Sequence, residues 1–529
     1  MKTLTPIRLI LYVSIFLVLF DNVSFFTNVI KTYYPIGVEN LAPLLSVGVM
    51  LTLFIALLFT LVSFRYTIKP ILILILLVSS LANYFMNTYQ VVIDDSMIQN
   101  IFETNLDESM ELFDVKVLLY LLFLGVVPSY IVYKTPLAYG TWQRERLRQL
   151  KTVTILLLLM VLIFFSFSKF YTSFFREHKP LRFYTNPTYY IYSLGKYFGN
   201  TFHIQEALKP LGRDAVVMER DETRRKKLLI VVVGEAARAD RLSLNGYVRQ
   251  TNPLLMKEEG VVNFSNLYSC GTSTAVSVPC MFSIYTKADF SIKKGRSIEN
   301  VLDVLQHTGA IDLLWRDNNF NSKGVANRIA YENYKRAENN PVCDSVECRD
   351  EGMLEGLEGY IDERPEKDVV IVLHQMGNHG PAYYKRYPQA FERFTPVCQT
   401  NQLEECSQEE ISNAYDNAIM YTDYFLSRVI ALLKRYDVER ETTMIYMSDH
   451  GESLGENGLY LHGLPYFMAP ETQTHIAGLM WFGTNSTDKE HVAARRDSAL
   501  SHDYLFHTIL GVMDVNTSVY DASLDMTRP

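Results

Sequence analysis

Five apolar stretches in the first 175 residues constrain this chain more than any other feature, because each approaches the ~20 residues that span a bilayer as a helix. They run from Ile7 to Val29, Leu41 to Phe64, Pro70 to Val91, Val115 to Tyr133 and Val153 to Phe174. The first resembles a signal peptide in position. It is long, however, has no small-residue cleavage site and precedes four further spans, so it reads as an anchor. Basic residues set the orientation. Lys2 and Arg8 precede the first span, Arg65 and Lys69 separate the second from the third, and Lys134, Arg144, Arg146, Arg148 and Lys151 separate the fourth from the fifth. The stretch from Val91 to Val115 has no basic residue but seven acidic ones, including Asp94, Asp95 and Asp114. The N-terminus is therefore expected in the cytoplasm, and five crossings put the C-terminal half outside.

Cysteine usage points to the same side. All six cysteines lie beyond residue 269, as the close neighbours Cys270 and Cys280, Cys343 and Cys348, Cys398 and Cys406, with no C-x-x-C knuckle. An even set of close pairs suggests disulfides and an oxidising compartment. Nearest-neighbour pairing is one of many connectivities open to six cysteines. With 529 residues the chain needs more than one core. Its formal net charge of −8, with no long basic block, gives nucleic-acid binding no support. Three regions are expected: a transmembrane domain over residues 1–175, a bridge over 176–227 at the membrane surface, and a soluble domain over 228–529. The bridge mixes Tyr and Phe with Arg176, Lys179, Arg182 and Lys196, a composition suited to the head-group layer.

Beyond the bridge, strand-like runs alternate with helical ones. Leu228–Val233 is continuous and β-branched, as in a strand buried on both faces, and similar runs are Ile311–Trp315, Val369–Leu373, Thr443–Met447 and Ile476–Phe482. Helical patterns occupy Ile298–Gln306, Glu409–Tyr436 and Asp503–Met513. The alternation implies an α/β domain with a largely parallel sheet, in which chemistry gathers at the carboxyl ends of strands. Polar groups do follow the runs: Glu235 after the first, His374 to Pro381 with His379, Ser448-Asp449-His450, and His462 soon after. Four such groups at successive strand ends are hard to assign to packing, since unpaired charges are expensive to bury. Oxygen and nitrogen ligands without thiolate suit zinc or manganese.

A nucleophile for that metal is available between Cys270 and Cys280. Ser269, Thr272, Ser273, Thr274 and Ser277 crowd a loop that leads from a strand-like run, Val261–Leu267, into a helix-like one. One hydroxyl should sit at a helix N-terminus, where backbone N–H groups favour negative charge. Taken alone, the loop is equally an N-cap within a disulfide-closed turn; with a metal nearby, Thr274 becomes the hydroxyl to be activated. Residues Met97 to Glu108 are amphipathic at helical spacing, with Asn100, Thr104 and Glu108 on one face. This pattern fits a solvated surface helix first, and a site for a cationic head group second. Asp21 and Asn22 lie inside the first span, where polar groups face a bundle interior or cavity.

Gly234-Glu235-Ala236-Ala237-Arg238-Ala239-Asp240, Cys270 to Cys280, Asn378-His379-Gly380-Pro381 and Ser448 to Glu456 resemble the signatures of phosphoethanolamine–lipid A transferases. That group includes the mobile colistin-resistance enzymes and belongs to the alkaline phosphatase/sulfatase superfamily. The resemblance covers nearly the whole chain. It implies five transmembrane helices, an alkaline phosphatase-like α/β domain in the periplasm, and a multi-pass protein of the Gram-negative inner membrane. It also implies one tightly bound Zn2+, with a second ion possible, held by Glu235, Thr274, Asp449 and His450. Thr274 is then the nucleophile that carries phosphoethanolamine. His379 and His462 surround the transferred group or a second zinc, and Lys323 lines the site. Asn100, Thr104 and Glu108 match donor-lipid positions, which strengthens the head-group reading of that helix. The donor implied is phosphatidylethanolamine, the acceptor lipid A, the consequence polymyxin and colistin resistance, and the state a monomer. Ala236 departs from the Thr that many relatives carry after the glutamate, but leaves the ligand intact. Transfer to core sugars or periplasmic glucans is the alternative within enzymes; a catalytically silent membrane-tethered binding protein is the alternative outside them. The C-x-P-x-R pattern of a sulfatase is absent around Thr274.

Overall fold

The computed structural model describes residues 3–103, 114–202, 208–218, 225–344, 347–486 and 488–528. The chain divides into two compact units, Met1–Ile98 with Phe113–Phe198, and Gln99–Leu112 with Gly199–Pro529.

The first unit is helical: α1 Pro6–Phe20, α2 Val23–Thr32, α3 Val38–Leu61, α4 Ile68–Thr88, α5 Val115–Lys134 and α6 Trp142–Ser166. Among the described residues four helices, α3 to α6, are long and apolar enough to cross a membrane; α1 and α2, bent by 56° at their junction, make a fifth if they are one span. The bend falls at Asp21 and Asn22, and its cause is polar. Asn22 Nδ2 donates to Leu17 O at 2.9 Å and to Asn186 O at 2.5 Å, while Asn22 Oδ1 accepts from Asn186 N at 2.9 Å. Asn186 Nδ2 in turn donates to Asp21 O (3.1 Å) and Ser79 O (2.9 Å), and Asn83 Nδ2 donates to Asp21 Oδ1 (3.3 Å). Backbone groups released by the break are thus satisfied inside the bundle, as lipid requires. α5 carries a π turn over Leu121–Val126, and a Cβ added at Gly125 would stand 2.7 Å from Ser80 Oγ, so a small residue is needed where α5 approaches α4.

The second unit is built on a seven-stranded sheet: β1 Lys226–Gly234, β2 Val261–Asn263, β3 Ile311–Asp317, β4 Ala330–Asn333, β5 Asp368–His374, β6 Arg440–Ser448 and β7 Gly478–Phe482, in the order β2-β7-β6-β1-β5-β3-β4. The pairs β6-β1, β1-β5, β5-β3 and β3-β4 are parallel; β7 runs antiparallel to both of its neighbours. β1 shows why its sequence is continuous in β-branched residues. Leu229, Val231 and Val233 face a core shared with the helices α7 Thr274–Met281, α8 Val301–His307 and α10 Leu505–Val512, whereas Leu228, Ile230 and Val232 face a core shared with α9 Gln408–Tyr436. Both faces are covered, so no position is left for a polar alternation. Only β4, Ala-Tyr-Glu-Asn at the sheet edge, gives no such signal. The three disulfides join Cys270 to Cys280, Cys343 to Cys348 and Cys398 to Cys406, which are the nearest-neighbour pairs.

Candidate active site

The central strands β1 and β6 lie side by side, with Gly234 opposite Ser448, and their carboxyl ends deliver the chemistry together. Glu235 leaves β1 and Asp449-His450 leave β6, all at most 1% exposed. Backbone contacts hold the turn: Asp449 N donates to Gly234 O, and Asp449 Oδ1 accepts from Ala236 N at 3.1 Å and from His450 N at 2.7 Å. A carboxylate taking two N–H bonds through one oxygen has its other oxygen aimed into the site.

Thr274 is the first residue of α7, with Ser273 in extended conformation at the N-cap. Its Oγ1 donates to Glu235 Oε2 at 3.1 Å and lies 3.3 Å from His450 Nε2. Three of the other four hydroxyls are used locally, and Ser273 Oγ is buried without a hydrogen-bond partner. Ser269 Oγ donates to Gly271 O, Thr272 Oγ1 donates to Leu464 O, and Ser277 Oγ accepts from Gly271 N. The disulfide between Cys270 and Cys280 closes this loop around Thr274. The position thus singles out one of five hydroxyls, which the sequence pattern alone does not.

The electrostatics are those of a site built for a cation. Burial, and then the neighbouring Asp449 charge, push the Glu235 carboxyl well above its ordinary range. Burial holds the His450 imidazole below its own. His450 Nδ1 sits 2.8 Å from Gly451 O, a pure acceptor, so Nδ1 carries the proton and the Nε2 lone pair faces the carboxylates. That nitrogen is 3.4 Å from Glu235 Oε1 and 3.3 Å from Asp449 Oδ2, and both oxygens are buried without a hydrogen-bond partner. Two orphaned carboxylate oxygens and an imidazole lone pair, with ligand atoms within 4.8 Å of one another, fit a divalent cation. His450, Glu452 and His462 form a second group meeting the same geometry.

His462 and His379 stand on the rim of this centre. The His462 ring lies 4.1 Å from the His450 ring and 6.1 Å from that of His379. Burial, and then the charge of Arg386, hold His379 well below its ordinary range. Lys323 takes a left-handed conformation (φ 51°) and lines a polar crevice of about 730 Å³ with Asn321, Arg296 and Arg328. Asn100 lies half-buried on the helix Asp95–Glu103, and Thr104 and Glu108 fall outside the described residues.

Sequence reasoning passed over several residues that position this set. Asn319 Nδ2, just beyond β3, donates to Glu235 Oε2 (2.8 Å) and to Gln375 O (2.9 Å). Glu452, fully buried, takes His462 Nδ1 at 2.7 Å on one oxygen and Tyr383 OH at 2.6 Å on the other. His502 bridges the two active loops, accepting from Cys270 N and donating to Ser448 O. Glu452 was within reach of sequence reasoning, as a carboxylate two residues past a ligand. Asn319 and His502 carry no local signal.

Comparisons with known proteins cover the full length. A family model described as Sulfatase matches residues 227–515, and one described as Phosphoethanolamine transferase EptA/EptB matches residues 50–202. The phosphatidylethanolamine transferase Mcr-1 of Escherichia coli is 42% identical over 526 residues, 97% of this chain and 96% of that one. The phosphoethanolamine transferase EptA of Escherichia coli K12 is 38% identical over 530 residues, 98% and 95% of the two chains. The integral membrane lipooligosaccharide phosphoethanolamine transferase A of Neisseria meningitidis superposes with a TM-score of 0.95 at 32% identity, covering 100% of both.

Proposed function

The chain belongs to the phosphoethanolamine transferase family, with a sulfatase-like catalytic domain, and on that premise we propose that it moves phosphoethanolamine from phosphatidylethanolamine to a phosphate of lipid A through Thr274. The observation that carries this reading is the placement of Thr274 Oγ1. It sits at the N-terminus of α7, in hydrogen-bond reach of Glu235 and beside His450 Nε2 and the orphaned oxygens of Glu235 and Asp449.

In the first half-reaction Thr274 Oγ1 gives up the proton it directs toward Glu235 Oε2 and bonds to the phosphorus of the donor. The bond from phosphorus to the glycerol oxygen breaks, and diacylglycerol leaves with a proton from His379 or His462. In the second, an oxygen of a lipid A phosphate bonds to that phosphorus and gives its proton to the histidine that lost one. The bond from phosphorus to Thr274 Oγ1 breaks, and Thr274 recovers its proton from Glu235. The N-terminus of α7 favours the negative charge that gathers on the phosphoryl oxygens in both steps. Glu235, Asp449, His450 and Thr274 would hold one Zn2+; bound there, it lowers the pKa of the threonine hydroxyl and offsets phosphoryl charge. His450, Glu452, His462 and the nearby His379 mark where a second ion fits. Glu452 keeps His462 oriented, so its role is positioning.

The same reading places the chain in the inner membrane with its catalytic domain in the periplasm, consistent with three disulfides confined to that domain. Residues 176–198 then lie along the membrane surface. The expected bridge is shorter than 176–227, because the chain from Gly199 belongs to the catalytic unit, with Leu211 and Ala215 in its core and Val216–Val217 paired with Val515–Asn516. Asn100, Thr104, Glu108 and Lys323 take part in substrate binding. The enzyme works as a monomer. Each transfer adds a cationic ethanolamine to an anionic surface, which weakens attraction of cationic peptides such as polymyxin and colistin. A lipid A mass spectrum from cells expressing the chain tests the assignment. Addition of phosphoethanolamine is expected with the wild type and none with Thr274→Ala. Modification confined to core sugars or glucans would move the acceptor elsewhere, and full activity of Thr274→Ala would end the covalent scheme.

A further inference from the structure

A crevice of about 810 Å³ opens within the membrane unit, near the upper part of the ~300–1,000 Å³ range of small-molecule sites. Its walls are apolar: Leu51 and Phe54 of α3, Leu157, Val161 and Phe164 of α6. Its rim comes from the segment after α6 and carries His178, Lys179 and Arg182, and among the described residues no carboxylate lines it. Lys179 and Arg182 both project from the short helical turn Lys179–Tyr184 and are exposed, with the Arg182 guanidinium 5.0 Å from the Phe183 ring centre.

We propose that this crevice binds a single phospholipid from the outer leaflet, its acyl chains against α3 and α6 and its phosphate on Lys179 and Arg182. Depth is the first argument. α6 begins among basic residues that face the cytoplasm, so its far end lies at the outer surface. The wall along α6 runs from Leu157 to Phe165, eight helical rises and about 12 Å at ~1.5 Å each, against roughly 15 Å for half a hydrocarbon core. Chains of one leaflet therefore match the wall while the cationic rim stands at head-group height. Exposure is the second. Only 6% of the apolar window of α6 is buried within the protein, and Leu157 and Val161 remain 46% and 50% exposed. Charge is the third: a lysine and a guanidinium side by side complement a phosphate through charge-assisted hydrogen bonds, and Arg binds it bidentately. This site belongs to the membrane unit alone. It stands whether or not its occupant is the lipid that reacts at Thr274, and its test needs no transfer activity.

The full-length protein, purified in detergent and stripped of lipid, is offered phosphatidylethanolamine or diacylglycerol with the same chains, and retained lipid is counted by native mass spectrometry. About one phospholipid per chain is expected, with diacylglycerol retained at least fivefold less. Lys179→Glu with Arg182→Glu lowers phospholipid retention at least fivefold, and Val161→Trp, which fills the wall, lowers it comparably. If the charge-reversed chain does not elute as a single species, Lys179→Gln with Arg182→Gln carries the prediction as an at least twofold loss. Equal retention of diacylglycerol, or retention unchanged by removal of the two cations, overturns the proposal and leaves only unselective apolar contact.

Discussion

Replacing Glu235 with Gln should make the metal-free protein more stable while removing its response to metal. The reasoning starts from two buried carboxylates that face one another without a cation. Their ligand oxygens lie within 4.8 Å, and two unit charges at that separation repel by about 3.5 kcal/mol at an effective dielectric of ~20. The protein relieves this by holding a proton on Glu235, whose pKa is raised by burial and by Asp449. A carboxyl raised in the folded state contributes stability below its unfolded pKa, about 4.5, and loses it as pH climbs through the folded value. Metal-free wild type should therefore lose stability as pH rises above about 4.5, and Glu235→Gln should flatten that slope. The amide keeps the side-chain volume and can still accept from Thr274 and Asn319, with its NH2 directed at the His450 Nε2 lone pair. Metal at a hundredfold excess over Kd stabilises the wild type by about 2.7 kcal/mol, or roughly 5–10 °C in Tm at ~2–4 °C per kcal/mol. Thermal unfolding of the full-length protein in detergent, with chelator or with zinc, from pH 5 to 8, reads both effects. A Glu235→Gln protein that melts below wild type in chelator at pH 8, or that gains the wild-type shift with zinc, would refute the assignment of these carboxylates as a metal site.

Glu452→Gln should lower turnover about 10–100-fold, the usual cost of removing a partner that orients an active-site histidine, and should displace the pH profile of transfer because His462 loses its carboxylate; an unchanged profile would deny Glu452 this role. Asn186→Ala removes two side-chain hydrogen bonds to Asp21 O and Ser79 O and should cost about 1–3 kcal/mol at ~0.6–1.7 each, measured as a lower Tm in detergent. Cys270→Ser with Cys280→Ser opens a loop with a sequence separation of 10, worth about 2.7 kcal/mol of chain entropy. Its Tm should fall by roughly 5–10 °C, with activity dropping further because Thr274 loses its fixed position.

The spans and the sheet were legible because each rests on a repeated signal. Apolar runs of bilayer length have one stable form in lipid, and β1 reads as buried on both faces because two cores do cover it. The strand ends were legible too, since charges there have no packing reason to exist. The break at Asp21–Asn22 showed only as a polar pair out of place, because its partner Asn186 is 164 residues from Asn22 in sequence. Thr274 was named as the hydroxyl a metal would activate, but the residue pattern held no reason to prefer it to its four neighbours, because each has equal chemistry until the backbone assigns it a neighbour.

By itself, the order of residues determined which segments are apolar enough to enter a membrane, which build a largely parallel sheet, and which side chains are released at the strand ends. Tertiary structure alone decided that β1 and β6 are adjacent, that Glu235 and Asp449 therefore share a site though 213 residues separate Ala236 from Asp449, and that Asn319 and His502 complete it. Patterning acts over a few residues, where periodicity and hydropathy are defined. Coordination and positioning depend on distances between strand ends, and those exist only once the sheet has closed its order.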